Sequence, residues 1–428
     1  MSRNAPAPIV GLVLALILGG CAASTATAPP SAPAAPSAGS SPAASADPWA
    51  EDLATLDRQV RLLHPNPFKI HPESEWNAKL AELRQTLPTA SPDEQIVQVA
   101  GLVGLLDTHS GFTAAFHQYG VLLYPFADGW FVIAADDRSL IGSRLVAIGS
   151  TPVAQVEAAL RPLVPADNES GKLDGLQFPM SSVEYLHGLG IVKDPAKPGY
   201  VLERPDGSTP MVDPAAVDEV VWEGQLGIIG DLMGTAPEAV ARRAQSAWTR
   251  LDKPTKTFII SYNDYTESGL TQPLAALKTA LDSGAANRVV LDMRYLRGGN
   301  GSLADPLIAA LSGDERINRP GGLVVMTGRE NVSAGTVVAA ALDAKTKATF
   351  VGEMTPARAD NFLCDCSDIA LPNSGFTVTV PTFTLNTGDP RDAVAPNIPF
   401  ALTAADFFAG KDPLLAAVLA GDLASPAP

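Results

Sequence analysis

The stretch GGLVVMTGRENVSAGTVVAAA, from Gly321 to Ala341, decides the fold. Leu323, Val324, Val325 and Met326 form a short apolar run, the pattern of a strand buried on both faces. Thr327 to Asn331 is polar and carries Gly328, a residue suited to a sharp turn. Ser333-Ala334-Gly335-Thr336 leads into Val337, Val338, Ala339, Ala340, Ala341 and Leu342, which read as a packed helix. Ser333 therefore stands where a strand turns into a helix. The first turn of a helix has unpaired N–H groups and a partial positive charge. Donors beside a serine at this place are suited to holding a developing oxyanion. Serine also caps helices, and on this window alone the cap is the simpler reading.

The same alternation extends on both sides. From Lys256, Phe258–Tyr262 reads as a strand, Leu274–Leu281 as a helix, Val289–Met293 as a second strand and Leu303–Leu311 as a helix. A further strand is expected at Thr349–Gly352 and a longer alternating one at Phe376–Leu385. Strands alternating with helices imply a mainly parallel, helix-covered sheet. Upstream, the spacing predicts three helices: Trp49–Leu63, stopped by His64-Pro65-Asn66-Pro67; Glu73–Leu87; and one opened by the capping box Ser91-Pro92-Asp93-Glu94. Strands are expected at Val121–Tyr124, Gly129–Ala134 and Arg144–Ile148, with a short helix at Val153–Leu160. Pro162–Pro179 reads as loop, and the segments around Pro205-Asp206-Gly207 as a hairpin.

The N-terminus reads as a targeting segment. Arg3 precedes an apolar run from Ile9 to Leu18, too short for an ordinary membrane-spanning helix. Leu18-Gly19-Gly20-Cys21 is similar to the lipobox of bacterial lipoproteins, which implies cleavage before Cys21 and lipid attachment there. Several acyl chains at ~0.8 kcal/mol per buried CH₂ would hold the chain firmly. With Ala22 rather than aspartate next, the resemblance points to the outer membrane, facing the periplasm. Ala22 to Asp47 is almost wholly Ala, Pro, Ser, Thr and Gly, the composition of a tether.

The 428 residues allow two or three domains, and 46% hydrophobic residues supply a large core. A formal net charge of -16 argues against nucleic acid as a partner. Cys364 and Cys366 are separated by one residue and read as two free thiols on a strand. No cofactor or metal site is expected; Asp365 beside the cysteine pair offers too few ligands.

Four motifs, in order, resemble the tail-specific (C-terminal processing) serine protease family, in its tricorn-core-like branch. They are Asp107-Thr108-His109-Ser110; Asp292-x-Arg294-x-x-x-Gly298-Gly299; Asn331-Val332-Ser333-Ala334-Gly335 followed by Val351-Gly352-Glu353-x-Thr355; and Pro396-Asn397-Ile398-Pro399. The phrase LIGSRLVAIGSTPVAQV, Leu140 to Val156, looks like the core of a PDZ-type module.

The resemblance implies a mixed α/β fold with a crotonase-like, ClpP-type catalytic core. It divides the chain into a signal peptide (1–20), a tether (21–47), a helical region (48–112), a β-rich PDZ-like region (113–215) and the catalytic core (216–428). It implies hydrolysis of peptides or protein tails through a serine acyl-enzyme. By position, Ser333 is the nucleophile, and the N–H of Ala334 with Gly298 or Gly299 forms the oxyanion hole. Family members with a Ser-Lys dyad have lysine after the V-G-E-x-T pattern. Arg358 stands at that place and stays protonated, so it cannot be the base. Lys345 and Lys347 lie just past the nucleophile helix and read as solvated. The tricorn-like branch uses histidine, and His109 after Thr108 fits that pattern; its alternative is a helix C-cap. Asp389 and Asp392 lie where the family places an acid, and Asp389-Pro390-Arg391-Asp392 reads equally as a plain turn. His64, His71, His117 and His187 read as structural. Leu296 stands where the family has asparagine. Three functions remain: an envelope-anchored serine peptidase, a catalytically silent binder of peptides or small ligands on the same fold, and a lipoprotein scaffold acting through the PDZ-like part.

Overall fold

The computed structural model describes residues 47–218, 236–266, 269–360, 362–363, 365–385 and 387–422. The signal segment, Cys21, Cys364 and the tether up to residue 46 lie outside the described residues. Residues 47–422, where described, fall in one compact unit.

The core is a six-stranded sheet. Its order is Ala247–Asp252, Thr257–Tyr262, Arg288–Asp292, Leu323–Thr327, Thr349–Gly352 and Ile398–Pro399. The first pair is antiparallel and the other neighbours are parallel. Every residue of Thr257–Tyr262 and of Leu323–Thr327 is buried. That two-sided burial is why these strands are continuous apolar runs rather than alternating ones. Helices Thr271–Asp282, Asp305–Gly313 and Ala334–Lys345 cover one face through Leu277, Leu281, Leu307, Leu311, Val338 and Leu342. Trp248, Ile259, Val290, Val324 and Met326 meet Leu414, Leu415 and Val418 on the other. Parallel strands place their C-terminal ends on one edge. Asn263, Arg294–Gly301, Thr327–Ser333 and Glu353–Arg358 all follow such ends, the place where open α/β sheets carry their sites.

Helices α1 (Pro48–Leu63), α2 (Glu73–Thr86) and α3 (Pro92–Val103) form as expected. The capping box of α3 is complete, with Ser91 N–H donating to Glu94 Oε2 at 2.7 Å. The helices do not stand apart from the C-terminal half. Gly111–Thr113 pairs with Thr377–Val380, which pairs with Ser367–Ala370. Buried Asp52 of α1 accepts the N–H groups of Asn373 and Ser374 at 2.9 and 2.8 Å. Leu53, Leu56 and Val60 share one cluster with Ile369, Val378 and Val380. A boundary at residue 112 therefore cuts through a sheet and a core.

Residues Val121–Phe126, Gly129–Ala135, Arg144–Ile148, Tyr200–Glu203 and Met211–Val212 form a second, antiparallel sheet. It is fastened to the core sheet by Arg329, 4% exposed, which donates to the Pro125 carbonyl at 2.6 Å and pairs with Glu353. Two expectations fail locally. Pro162–Pro179 contains a helix, Glu169–Gly175, whose N-cap Asn168 accepts the N–H of Gly171 at 3.0 Å. Phe376–Leu385 is not one strand but two, Thr377–Val380 and Phe383–Thr384, separated at Pro381, which has no N–H for the ladder.

Candidate active site

Ser333 precedes helix Ala334–Lys345 at φ 56°, ψ -125°, and its side chain makes no capping bond to that helix. The simpler reading from sequence, a helix cap, is therefore overturned. A non-glycine residue held at such angles costs on the order of 1–3 kcal/mol and persists only where its surroundings enforce it. The enforcing contacts come from the glycine loop. Asn331 Nδ2 donates to the Leu296 carbonyl at 3.1 Å, and Gly335 N–H to the Arg297 carbonyl at 3.1 Å. Thr336 Oγ1 closes the turn on the Asn331 carbonyl at 2.7 Å. Leu296 is fully buried among apolar side chains, so the departure from asparagine leaves the loop anchored by its main chain.

This clasp lays Gly298 against the serine. A Cβ at Gly298 would lie 3.3 Å from Ser333 Cβ and 3.5 Å from Oγ. Gly299 has φ 138°, and a Cβ there would lie 2.9 Å from Tyr265 Cβ. Gly335 is also obligatory, because a Cβ would fall 2.2 Å from the Leu296 carbonyl oxygen. Ala334 opens the helix, where its N–H has no intrahelical acceptor. Arg297 pairs with Glu330 at 3.0 Å, and Glu330 also takes Arg243 at 3.2 Å.

The segment carrying His109 lies beyond α3, which ends at Val103 with Gly104 as its cap, so His109 is no helix cap. Buried Asp167 ties this segment to the loop after Thr349–Gly352. Its Oδ1 accepts the N–H of Thr108 at 3.2 Å, and its Oδ2 that of Arg358 at 2.8 Å. Thr108 Oγ1 donates to the Pro356 carbonyl at 3.0 Å. His109 is thereby anchored to a loop that leaves the same edge of the sheet as the Ser333 turn. Its side chain is 7% exposed. Burial pulls its pKa below the ordinary histidine value, against the attraction of Asp107, so the ring is neutral at neutral pH. A neutral imidazole can accept a proton.

The carboxylate beside this ring is Asp107, with Oδ1 3.9 Å from His109 Nδ1. Asp389 instead spends its carboxylate on Arg391, at 2.9 and 2.5 Å, in an exposed turn. Asp392 is exposed and approaches this region through its carbonyl, which accepts Asn168 Nδ2 at 2.7 Å. Of the two reserved acids, Asp389 is thus a turn residue. Asp107, quoted only as part of the motif, is the acid that the structure sets against the imidazole.

The lysine alternatives do not compete. Lys345 ends the helix that follows Ser333, about 18 Å away from it at 1.5 Å per residue. Lys172, whose pKa burial lowers to about 8, donates to the carbonyls of Val164 and Gly104. Arg358 donates to the Pro390 carbonyl at 3.1 Å. Cys366 is disulfide-bonded rather than a free thiol, which corrects the reading from spacing, and its Sγ lies 3.9 Å from the His109 carbonyl oxygen.

No protein-family model and no curated protein matches the sequence. Solved structures do match. Mature CPAF complexed with lactacystin is 15% identical, with a TM-score of 0.58, covering 87% of this chain and 98% of that one. A CPAF s499a mutant is 13% identical, with a TM-score of 0.55 over 88% of this chain and 98% of that one. The photosystem II D1 C-terminal processing protease is 14% identical and covers 82% of this chain and 92% of that one, at a TM-score of 0.36. The two CPAF structures establish the shared mixed α/β fold.

Proposed function

We propose that the protein is a serine-type peptidase, anchored at the bacterial envelope through Cys21, with Ser333 as nucleophile and His109 as base. The observation that carries the reading is the backbone of Ser333. A serine held at φ 56° on a strand-to-helix turn, uncommitted to capping and packed against Gly298, is what a presented nucleophile requires. The order of the four motifs and the fold shared with CPAF support the reading.

In this account Ser333 Oγ attacks the peptide carbonyl as its proton passes to the imidazole of His109. The carbonyl oxygen becomes an oxyanion and is met by the N–H groups of Ala334 and Gly298 or Gly299. His109 then gives its proton to the leaving amine, and the acyl-serine forms. Water enters, loses a proton to the same ring and releases the acid. A base in this role contributes ~10²–10⁴ and one oxyanion donor ~10²–10³ in rate. Asp107 supplies negative charge beside the imidazolium that forms.

Incubation with unfolded protein and unstructured peptides, read by mass spectrometry of the fragments, tests the reading. New termini formed by the wild type and lost in Ser333→Ala support it. Intact substrate after long incubation with a well-folded wild type sinks it. Anchoring is tested apart: Cys21→Ala releases the protein from membranes, and continued retention refutes the lipid anchor.

A further inference from the structure

One buried histidine remains outside the account above. His64 follows α1 directly, and its side chain is 1% exposed. Its Nδ1 accepts the N–H of Asn66 at 3.0 Å. A ring nitrogen that accepts carries no proton, so the network places the ring proton on Nε2. Nε2 lies 2.6 Å from Asp107 Oδ2. The His64-Pro65-Asn66-Pro67 breaker thus ends a helix and also sets a tautomer.

Asp107 is the hub of this cluster. Oδ2 accepts His64 Nε2–H and, at 3.0 Å, Ser110 Oγ–H. Oδ1 accepts the N–H of His109 at 2.8 Å and faces the ring of His109 at 3.9 Å. We infer that His64 is a positioning residue for the base: its N–H holds Asp107 oriented and ionised, so that the carboxylate charge falls on the imidazole of His109. Burial alone would raise the pKa of Asp107, but the hydrogen bonds from His64 and from the N–H of His109 bring it below the ordinary value. Asp167 also faces the hub: Asp107 repels it, and the N–H groups of Thr108 and Arg358 hold it. A histidine–carboxylate–histidine array of this kind needs three segments: the end of α1, the turn after α3, and the loop carrying Pro356 that fixes Thr108.

The catalytic meaning rests on His109 being the base, whereas the coupling itself is readable without turnover. The protein has five histidines, so ring signals can be assigned by substitution in an NMR titration. Loss of the donor in His64→Leu leaves Asp107 more readily protonated. The His109 midpoint then moves down by about one pH unit, the effect of losing one nearby opposite charge. His64→Gln, which keeps an N–H near the place of Nε2, restores the midpoint. Asp107→Asn, which removes the charge and keeps the shape, lowers it as His64→Leu does, and decides the matter if His64→Leu does not fold. On hydrolysis, His64→Leu lowers kcat about 10-fold or more with KM little changed, and its acid limb follows the midpoint. An unmoved His109 midpoint in folded His64→Leu or Asp107→Asn overturns the inference. Absence of any hydrolysis by the wild type overturns the peptidase reading instead, and the midpoints still judge the coupling.

Discussion

A carbon added at Gly298 would sit 3.3 Å from Cβ of Ser333, closer than a relaxed contact, and 3.5 Å from its Oγ, in ordinary contact. The glycine loop and the serine turn are therefore one surface, joined by Asn331 and Gly335 through the carbonyls of Leu296 and Arg297. Gly298→Ala presses on Cβ of Ser333, so that the serine must give by a few tenths of an ångström, without forcing a disfavoured backbone. The expected result is a cooperative melt close to wild type, with kcat/KM down by about 10²-fold, in the range of a lost oxyanion donor. Steady-state kinetics beside a melting curve checks it.

Gly299 fails differently. At φ 138°, with Tyr265 Cβ 2.9 Å from where a side chain would begin, Gly299→Ala costs on the order of 1–3 kcal/mol of stability. Denaturant unfolding of the two variants side by side should separate them. Equal stability of Gly298→Ala and Gly299→Ala would contradict the assigned geometry.

Backbone strain at Ser333 gives a further prediction. If φ 56°, ψ -125° is imposed for presentation of the hydroxyl, glycine relieves it and alanine does not. Ser333→Gly is expected to be about 1 kcal/mol more stable than Ser333→Ala, while both lose hydrolysis. Alanine controls for the missing oxygen. The check is the difference in denaturant midpoint at equal slope.

Much of this was legible in the chain. The core strands announce themselves because burial on both faces makes them unbroken apolar runs, as at Leu323–Thr327. Motif order singles out Ser333 and the glycine pair as candidates, and the capping box fixes the start of α3 to the residue, whereas its apolar stripe through Leu106 overshoots the end at Val103. The contact between Asp107 and His64 is not legible, because the two meet only when α1 and the turn after α3 pack together. Asp167 was missed for the same reason: its partners Thr108 and Arg358 lie far from it along the chain. The 48–112 boundary failed because Gly111–Thr113 finds its strand partner near the other end of the protein. Short helices such as Val183–Gly188 carry too few periods to stand out from loop.

The clamp on Thr108 makes stability pH-dependent. Burial, with the charge of Asp107, raises the pKa of Asp167 to about 6, against an unfolded value of about 3.9. The folded state therefore binds more protons between these values. The stabilisation from this group is complete below about pH 4 and is lost as pH rises through about 6, a change of roughly 2–3 kcal/mol. Asp174, raised to about 6 chiefly by burial, acts in the same direction. Asp167→Asn is expected to flatten the fall in stability across that window. Urea unfolding at several pH values measures the slope, and an unchanged slope would count against the clamp.

The central claim is that a presented serine hydroxyl is activated by one particular imidazole. A fluorophosphonate probe, with adduct mapping by mass spectrometry and rates in wild type and His109→Ala, tests it most directly. The account predicts a single adduct on Ser333 and labelling slowed at least about 10²-fold in His109→Ala. A folded wild type that takes no probe, or a His109→Ala variant labelled as fast as wild type, would contradict it.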